Sequence, residues 1–309
     1  MNSFPQLPTP RVLLAGVDAD GLGDHALDSA LRLEKDLGAR LLLVHAVGTA
    51  ALDWEVVEDP RQTAQQTGIL DQATRVMLQH VRERLRANGE NGGRAEELLR
   101  VFPGPPARVL LEQAREFDAD LILLGTHKRR GWIDFGSTVR AVLARAPKSV
   151  WLQSAPAAPV RSILCPVDLS HESLLALAQA CALAHRWQAR VTVLHVFQPS
   201  HYLLSTWPEY PDMGMPLALS EMRDSERTAF TRALEAFDWR GVPHELRSVE
   251  GEPHECVLDL AHAHDLVVMG THGRTGLASA LLGNVAYSVM RRCEKPVLAI
   301  RHPERRFLT

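Results

Sequence analysis

The feature that most constrains this chain is that it repeats itself. Val17-Asp18 aligns with Val167-Asp168 at an offset of 150, and the offset holds without a gap to Val44-His45 and Leu194-His195. Gly38-Ala39-Arg40 matches Gln188-Ala189-Arg190 between them. Asp120-Leu-Ile-Leu-Leu-Gly-Thr-His127 later matches Asp265-Leu-Val-Val-Met-Gly-Thr-His272. Both copies then run through a helical stretch and a proline into a short apolar strand, at Ala146-Pro147 to Leu152 and at Lys295-Pro296 to Ile300. A match recurring in the same order at so many points is a duplication. With 309 residues, each copy is long enough to bury its own core.

Each copy alternates strand and helix. In copy two, Ile163–Val167 is a short apolar run, followed by Leu174, Leu177, Ala178, Cys181 and Ala182 at helical spacing. Ser170 is placed to cap that helix. Val191–Val196 is the next strand. The stretch 201–216, rich in proline and aromatics, reads as a loop, a lid or packing arm. Leu217–Phe237 reads as helix, Glu245–Val249 as strand, and Pro253–His262 as a helix with proline in its first turn. Leu266–Met269 is a buried strand, Gly283–Cys293 a helix and Val297–Ile300 the last strand. Copy one follows the same order. Short apolar strands separated by helices predict parallel sheets covered on both faces. The Pro/Ala stretch Ser154-Ala-Pro-Ala-Ala-Pro159 marks the boundary, giving expected domains at 1–155 and 156–309.

Composition limits the function classes. A net charge of −3 supplies no basic field for nucleic acid, and no apolar run is long enough for a membrane span. The N-terminus lacks a charged region followed by an apolar one, so a cytoplasmic location is expected. The four cysteines, Cys165, Cys181, Cys256 and Cys293, form no Cys-x-x-Cys pair and are expected as reduced, mostly buried thiols. His254, Cys256, His262 and His264 have no zinc spacing, and no metal site is expected there.

Ligands of open parallel sheets bind at the carboxyl ends of the strands, where strand order reverses. In copy two, Asp168, His195-Val196 and Gly270 fall at such ends. Gly270 opens Gly270-Thr-His-Gly273-Arg-Thr-Gly276-Leu-Ala-Ser-Ala-Leu-Leu-Gly283-Asn284, which leads into a helix. Glycines let a backbone approach a ligand closely, and the amides of a helix N-terminus attract an anion. Arg274 adds a charged donor. Strand, glycine loop and helix N-terminus together predict a phosphate cradle.

These residues carry a resemblance. Gly270, Gly273 and Gly283 fit the Gly-x2-Gly-x9-Gly nucleotide loop of the universal stress protein family, and Cys165-Pro166-Val167-Asp168 resembles that family's first-strand Pro-x-Asp. The resemblance spans both copies. It implies two tandem doubly wound α/β domains, each a five-stranded parallel sheet of order 3-2-1-4-5, in a stress-response binding and signalling protein. It also implies a pseudo-dimer within the chain, with or without a further homodimer. Carried over, Asp168, beside Pro166, accepts hydrogen bonds from ribose or adenine, and the backbone at Val196 meets the adenine. Gly270 and Gly273 flank ribose and phosphates with Arg274 nearby, and Gly283 and Asn284 hold phosphate oxygens. The implied ligand is ATP or a related adenine nucleotide, with magnesium only as its companion ion.

Two positions depart from the pattern. Asn284 stands where the family's ATP binders carry Ser or Thr; its amide donates to phosphate but lacks the hydroxyl. Copy one reads Gly125-Thr-His-Lys128-Arg-Arg-Gly131-Trp-Ile-Asp-Phe-Gly136-Ser137, with Lys128 in place of a glycine and two fewer residues, so copy one is not expected to bind nucleotide in this manner. His127 and His272 recur in both loops and, like His45 and His195, are expected to be structural. Gly21-Leu-Gly23-Asp-His-Ala26 mimics a dinucleotide fingerprint, but copy two has no glycine there and no acidic residue ends the second strand of copy one. There is no P-loop, nucleophile elbow or paired acid and base, so catalysis is not expected beyond slow ATP hydrolysis. The competing expectation is a scaffold with vestigial sites that hold another, apolar ligand or none.

Overall fold

The computed structural model describes residues 9–18, 23–48, 60–129, 132–134, 136–198, 215–272 and 282–301. They form two compact units. One comprises Thr9–Pro159 together with the last strand of the chain; the other comprises Val160–Lys295.

The first unit runs β1 (Val12–Gly16), α1 (Asp24–Leu37), β2 (Arg40–Val47), α2 (Pro60–Ala87), a short α3 (Ala95–Leu98), β3 (Leu99–Pro103), α4 (Pro106–Glu116) and β4 (Leu121–Gly125). It continues through a small hairpin of β5 (His127–Arg129) and β6 (Trp132–Asp134) to α5 (Gly136–Arg145) and β7 (Ser149–Gln153). Its sheet has the order β3-β2-β1-β4-β7, all parallel, which is 3-2-1-4-5 in copy numbering. Leu13, Leu14, Leu43, Ile122 and Leu123 are fully buried. Their strands read as continuous apolar runs because helices cover both faces.

The second unit runs β8 (Ser162–Pro166), α6 (His171–Trp187), β9 (Arg190–Phe197), α7 (Met215–Glu235), β10 (His244–Glu250), α8 (Pro253–Ala261), β11 (Leu266–Gly270) and α9 (Asn284–Arg292). Its sheet order is β10-β9-β8-β11, again parallel, reproducing 3-2-1-4. The fifth strand of the second copy, β12 (Val297–Ile300), groups with the first unit. It pairs antiparallel with β7, Val297 opposite Leu152 and Ala299 opposite Val150. Parallel pairing was expected within each copy, and the resemblance implied a pseudo-dimer contact besides; the antiparallel ladder pairs the last strands of the two copies. After β12, the backbone amide of Arg301 donates to Ser149 Oγ (3.3 Å) and its guanidinium donates to the Leu143 carbonyl near the end of α5.

The duplication extends to single hydrogen bonds. Asp120, before β4, accepts from the amides of Arg11 (2.8 Å) and Val12 (3.1 Å); Asp265, before β11, accepts from those of Arg161 and Ser162 (both 2.9 Å). His45 Nδ1–H donates to the Val17 carbonyl (2.9 Å), and His195 Nδ1–H to that of Val167 (3.0 Å). Both histidines thus tie the end of a second strand to the end of the first. Gly38 closes α1 in the left-handed region (φ +65°), and Gln188 does the same for α6 at φ +53°.

The thiols are reduced. Cys165, Cys181 and Cys293 are buried and Cys256 half-buried. Burial pushes the Cys181 thiol up to about 12 and that of Cys293 to about 11, so neither forms thiolate at neutral pH. Of the stretch 201–216, residues 201–214 lie outside the described residues, and Met215 and Pro216 already belong to α7. Proline fits the first turn because its missing N–H has no helical partner there.

Candidate functional site

β8, β9 and β11 are parallel, so their carboxyl ends share one edge of the second unit's sheet. Strand order reverses beside β8: the chain passes first to β9 on one side and later to β11 on the other. The structure brings Pro166, Asp168, Val196 and Gly270 to this edge.

Pro166 ends β8, half-buried, in register with Leu194 of β9. Asp168 follows and turns back on its own chain, Oδ1 accepting from the Ser170 amide (3.0 Å). Leu169 between them has φ +63°, an unusual state for a branched side chain and one that strains the backbone. Ser170 caps α6 as its position predicts, its hydroxyl accepting from the Ser173 amide (3.3 Å). The Asx turn and this cap hold the strained residue from both sides. No local sequence signal marks Leu169 as left-handed.

Val196 lies half-buried near the end of β9, opposite Val249 of β10. Gly270 ends β11 against the first turn of α6. A Cβ there would stand 3.0 Å from the Glu172 carbonyl carbon and 3.1 Å from its oxygen. Glycine at 270 therefore gives the helix-to-strand packing a closer fit than a larger residue would, a role that the spacing alone did not reveal. Glu172, buried in that first turn, is likewise a neighbour of the site that no spacing revealed.

Gly273 and Arg274 lie outside the described residues. The two ends of their loop are tied together: the Gly283 amide donates to the Thr271 carbonyl (2.8 Å). Gly283 is the N-cap of α9 with no side-chain cap, and Asn284, exposed, is its first residue. The first-turn amides of α9 thus start beside the end of β11, where the helix dipole favours an anion. Thr271 and His272 are buried, with Oγ1 and Nδ1 3.0 Å apart. His272 is in a hydrogen-bonding place, as its recurrence in both copies suggested.

The first unit differs at the equivalent edge. Asp18 is exposed after β1, and Gly136 begins α5 at φ +51°. The loop between β4 and α5 is a two-stranded hairpin, with His127 opposite Asp134 and Arg129 opposite Trp132. A ladder commits backbone groups to each other that an open glycine loop would turn toward a ligand. The lost glycine at Lys128 is visible in the sequence, whereas the hairpin is not.

His254, Cys256, His262 and His264 do not converge as a ligand set. His264 donates from Nδ1 to the Leu260 carbonyl (2.7 Å), and its Nε2 meets Thr192 Oγ1 at 2.9 Å, which occupies both ring nitrogens. His254 lies between Glu252 and Glu255, at 3.2 and 3.3 Å. No group of three metal-binding side chains occurs among the described residues. No helix among them is long and apolar enough to cross a membrane.

The model of the universal stress protein family matches residues 10–153 and again 159–301. Universal stress protein E of Salmonella typhi is 25% identical over 308 residues, 94% of either chain. A universal stress protein of Methanocaldococcus jannaschii is 31% identical over 149 residues, 47% of this chain and 84% of its own. The crystal structure of a universal stress protein from Archaeoglobus fulgidus DSM 4304 superposes with a TM-score of 0.61 at 15% identity, covering 94% of this chain and 98% of that one, a likeness of fold.

Proposed function

This chain belongs to the universal stress protein family as two tandem copies, and on that premise we propose that its C-terminal copy binds ATP or a related adenine nucleotide in a stress-response signalling role. Pro166 shapes the approach to Asp168, whose carboxylate takes donors from the ribose or adenine. The backbone at Val196 meets the base. Gly270, Gly273 and Arg274 line the sugar and phosphates, and Gly283 and Asn284 hold phosphate oxygens at the start of α9. Magnesium, if present, enters with the nucleotide. The protein acts by binding rather than by catalysis, in the cytoplasm, with domains divided at 155/156.

The observation that carries this reading is the junction at Thr271 and Gly283. It returns the glycine loop to the strand it left and sets an uncapped helix N-terminus at the sheet edge that also carries Asp168. Titration calorimetry with ATP, with and without magnesium, tests it on wild type and on Gly283→Val. Gly283 has φ −66° and ψ 144°, which valine accepts without backbone strain, and a circular dichroism spectrum and urea midpoint like the wild type's confirm that the variant is folded before its binding is read. Saturable binding by the wild type that is lost in the variant supports the proposal. A wild type that binds neither ATP nor ADP overturns it.

The packing of Gly270 on α6 favours a second reading, in which the site is vestigial and the chain a scaffold, empty or holding an apolar ligand. There the glycine serves the fold alone. Native mass spectrometry of the purified protein separates the two by the mass of any retained ligand. It also tests the pseudo-dimer: a single-chain mass means one chain suffices, a doubled mass that two chains pair.

A further inference from the structure

The second unit's sheet ends at β10, which has β9 on one side and, among the described residues, no strand on the other. The ladder to β9 fixes which main-chain groups face outward. The Pro243 carbonyl accepts from the Val191 amide (2.9 Å), and the Gly251 amide donates to the Phe197 carbonyl (3.1 Å). Main-chain groups alternate sides along a strand, so the odd-numbered residues from 243 to 251 face β9. The N–H and C=O groups of His244, Leu246, Ser248 and Glu250 face away, and they have no partner among the described residues. His244 and Glu250 are exposed, Leu246 and Ser248 half-buried. Trp239 stacks on His244, centroids 3.7 Å apart and planes 6° from parallel, which fixes the start of this edge.

The duplication supplies an internal control. β3 is the matching edge strand of the first unit. The Gly104 amide donates to the Val47 carbonyl (2.9 Å), so Leu99, Val101 and Pro103 are the residues that face outward there. The Leu99 amide is taken by the Ala95 carbonyl, and the Leu99 carbonyl by the Arg100 guanidinium at 2.8 Å. Pro103 has no N–H to offer. The first copy thus closes most of the edge that the second leaves open, and an open edge is a template for another strand.

We propose that β10 pairs antiparallel with β10 of a second copy of this chain, about a two-fold axis through Leu246. Outward-facing residues then oppose one another, Leu246 with Leu246 and His244 with Ser248, and exchange main-chain hydrogen bonds. Charge selects this partner and this register. With the axis at Leu246, Glu245 of each chain stands opposite Arg247 of the other. An axis at Glu245 sets Glu245 against Glu245, and one at Arg247 sets Arg247 against Arg247, both repulsive. An axis at Ser248 makes no ion pair and sets Leu246 against Glu250. Within one chain Glu245 and Arg247 already pair at 2.7 Å. The second copy extends that pair into a ring of four alternating charges, while the same charges reject the neighbouring registers. The interface uses the side of β10 rather than the carboxyl ends of the strands, and it stands apart from the nucleotide reading.

Sedimentation equilibrium of the full-length protein tests the pairing over about 1 to 500 µM, the range in which so small an interface associates. The wild type is expected to pass from single chains to dimers across that range. Glu245→Arg sets arginine against arginine twice, and Arg247→Glu sets glutamate against glutamate twice. Each variant alone is expected to dimerise about tenfold more weakly or not at all. An equimolar mixture of the two is expected to associate as the wild type does, because each chain then meets only opposite charges. That recovery also shows that both variants are folded. Leu246→Pro removes an outward N–H at the axis without touching the ladder to β9, and it is expected to abolish the dimer. A wild type that stays a single chain throughout leaves the edge to another protein's strand and overturns the proposal. So does a dimer that both charge variants retain, or a mixture of the two that fails to associate.

Discussion

Asp120 and Asp265 each stand just before a fourth strand and turn back to receive the first amides of strand one. Burial tends to raise the Asp265 carboxyl, but hydrogen bonds from the Arg161 amide and from the Ser162 hydroxyl and amide outweigh it, and the net result lies below the ordinary carboxylate range. A carboxylate lowered in the folded state stabilises above its unfolded value, near 3.8, and loses that contribution as pH falls through its folded value. Asp265→Asn is therefore expected to cost about 1–3 kcal/mol at pH 7 and much less near pH 2, read from urea unfolding at the two pH values. An equal loss at both would mean that the charge has no part in it. Gly270 belongs to the same scale. Gly270→Ala drives a methyl group into the Glu172 backbone, which cannot rotate aside. The expected cost is about 1–3 kcal/mol of overpacking, seen as a lowered urea midpoint without any ligand. An unchanged midpoint would return Gly270 to a purely ligand-facing role. Thiol titration adds a third residue-scale test: one cysteine, Cys256, is expected to react in the native protein and all four after denaturation. Fast reaction of a second native thiol would contradict the burial of Cys165, Cys181 and Cys293.

Among the elements, α1 and α6 occupy the same place in the two copies, and the residue that closes each differs. Both end in a left-handed residue, Gly38 in one and Gln188 in the other. Glycine adopts that conformation without the Cβ clash that glutamine bears, at some extra cost in chain entropy. Gln188→Gly, at an exposed position, is expected to stabilise the protein by about 0.5–1 kcal/mol, measured as a higher urea midpoint. A lower midpoint would mean that the glutamine side chain contributes more than its backbone strain removes. The loops before α5 and α9 differ more. The first is a hairpin, whereas the second is bridged at its ends by Gly283 and Thr271. The inequality of the copies at the candidate edge therefore lies in this connection, with the strands before it alike.

For the molecule as a whole, β12 is the element with the widest consequence. It comes from the second copy in sequence, yet it covers the outer edge of β7, where Val150, Trp151 and Leu152 are buried. An uncovered apolar edge strand invites pairing with other chains. Removing residues 296–309 is expected to yield a protein that self-associates, seen by light scattering after size exclusion, with altered Trp151 fluorescence. A truncated chain that elutes like the wild type, with unchanged emission, would show that β7 needs no cover.

The duplication, the alternation of strand and helix and the Ser170 cap were legible in the sequence, and each rests on local periodicity or on comparison of the two copies. The 3-2-1-4-5 order of the first copy followed only from the resemblance to the universal stress protein family. The glycine spacing from Gly270 to Gly283 and the loss at Lys128 were legible too, because glycine constrains its own backbone and its nearest neighbours. The structure alone decided what distant segments do to one another. It set Glu172 against Gly270, brought Asp265 to the start of a strand 103 and 104 positions away, joined His264 to Thr192, and laid Glu226 beside His195. It also turned β12 antiparallel onto β7. Local chemistry fixes which element a segment becomes, whereas such contacts follow from how close-packed faces exclude water and satisfy buried polar groups, which no short stretch of sequence contains.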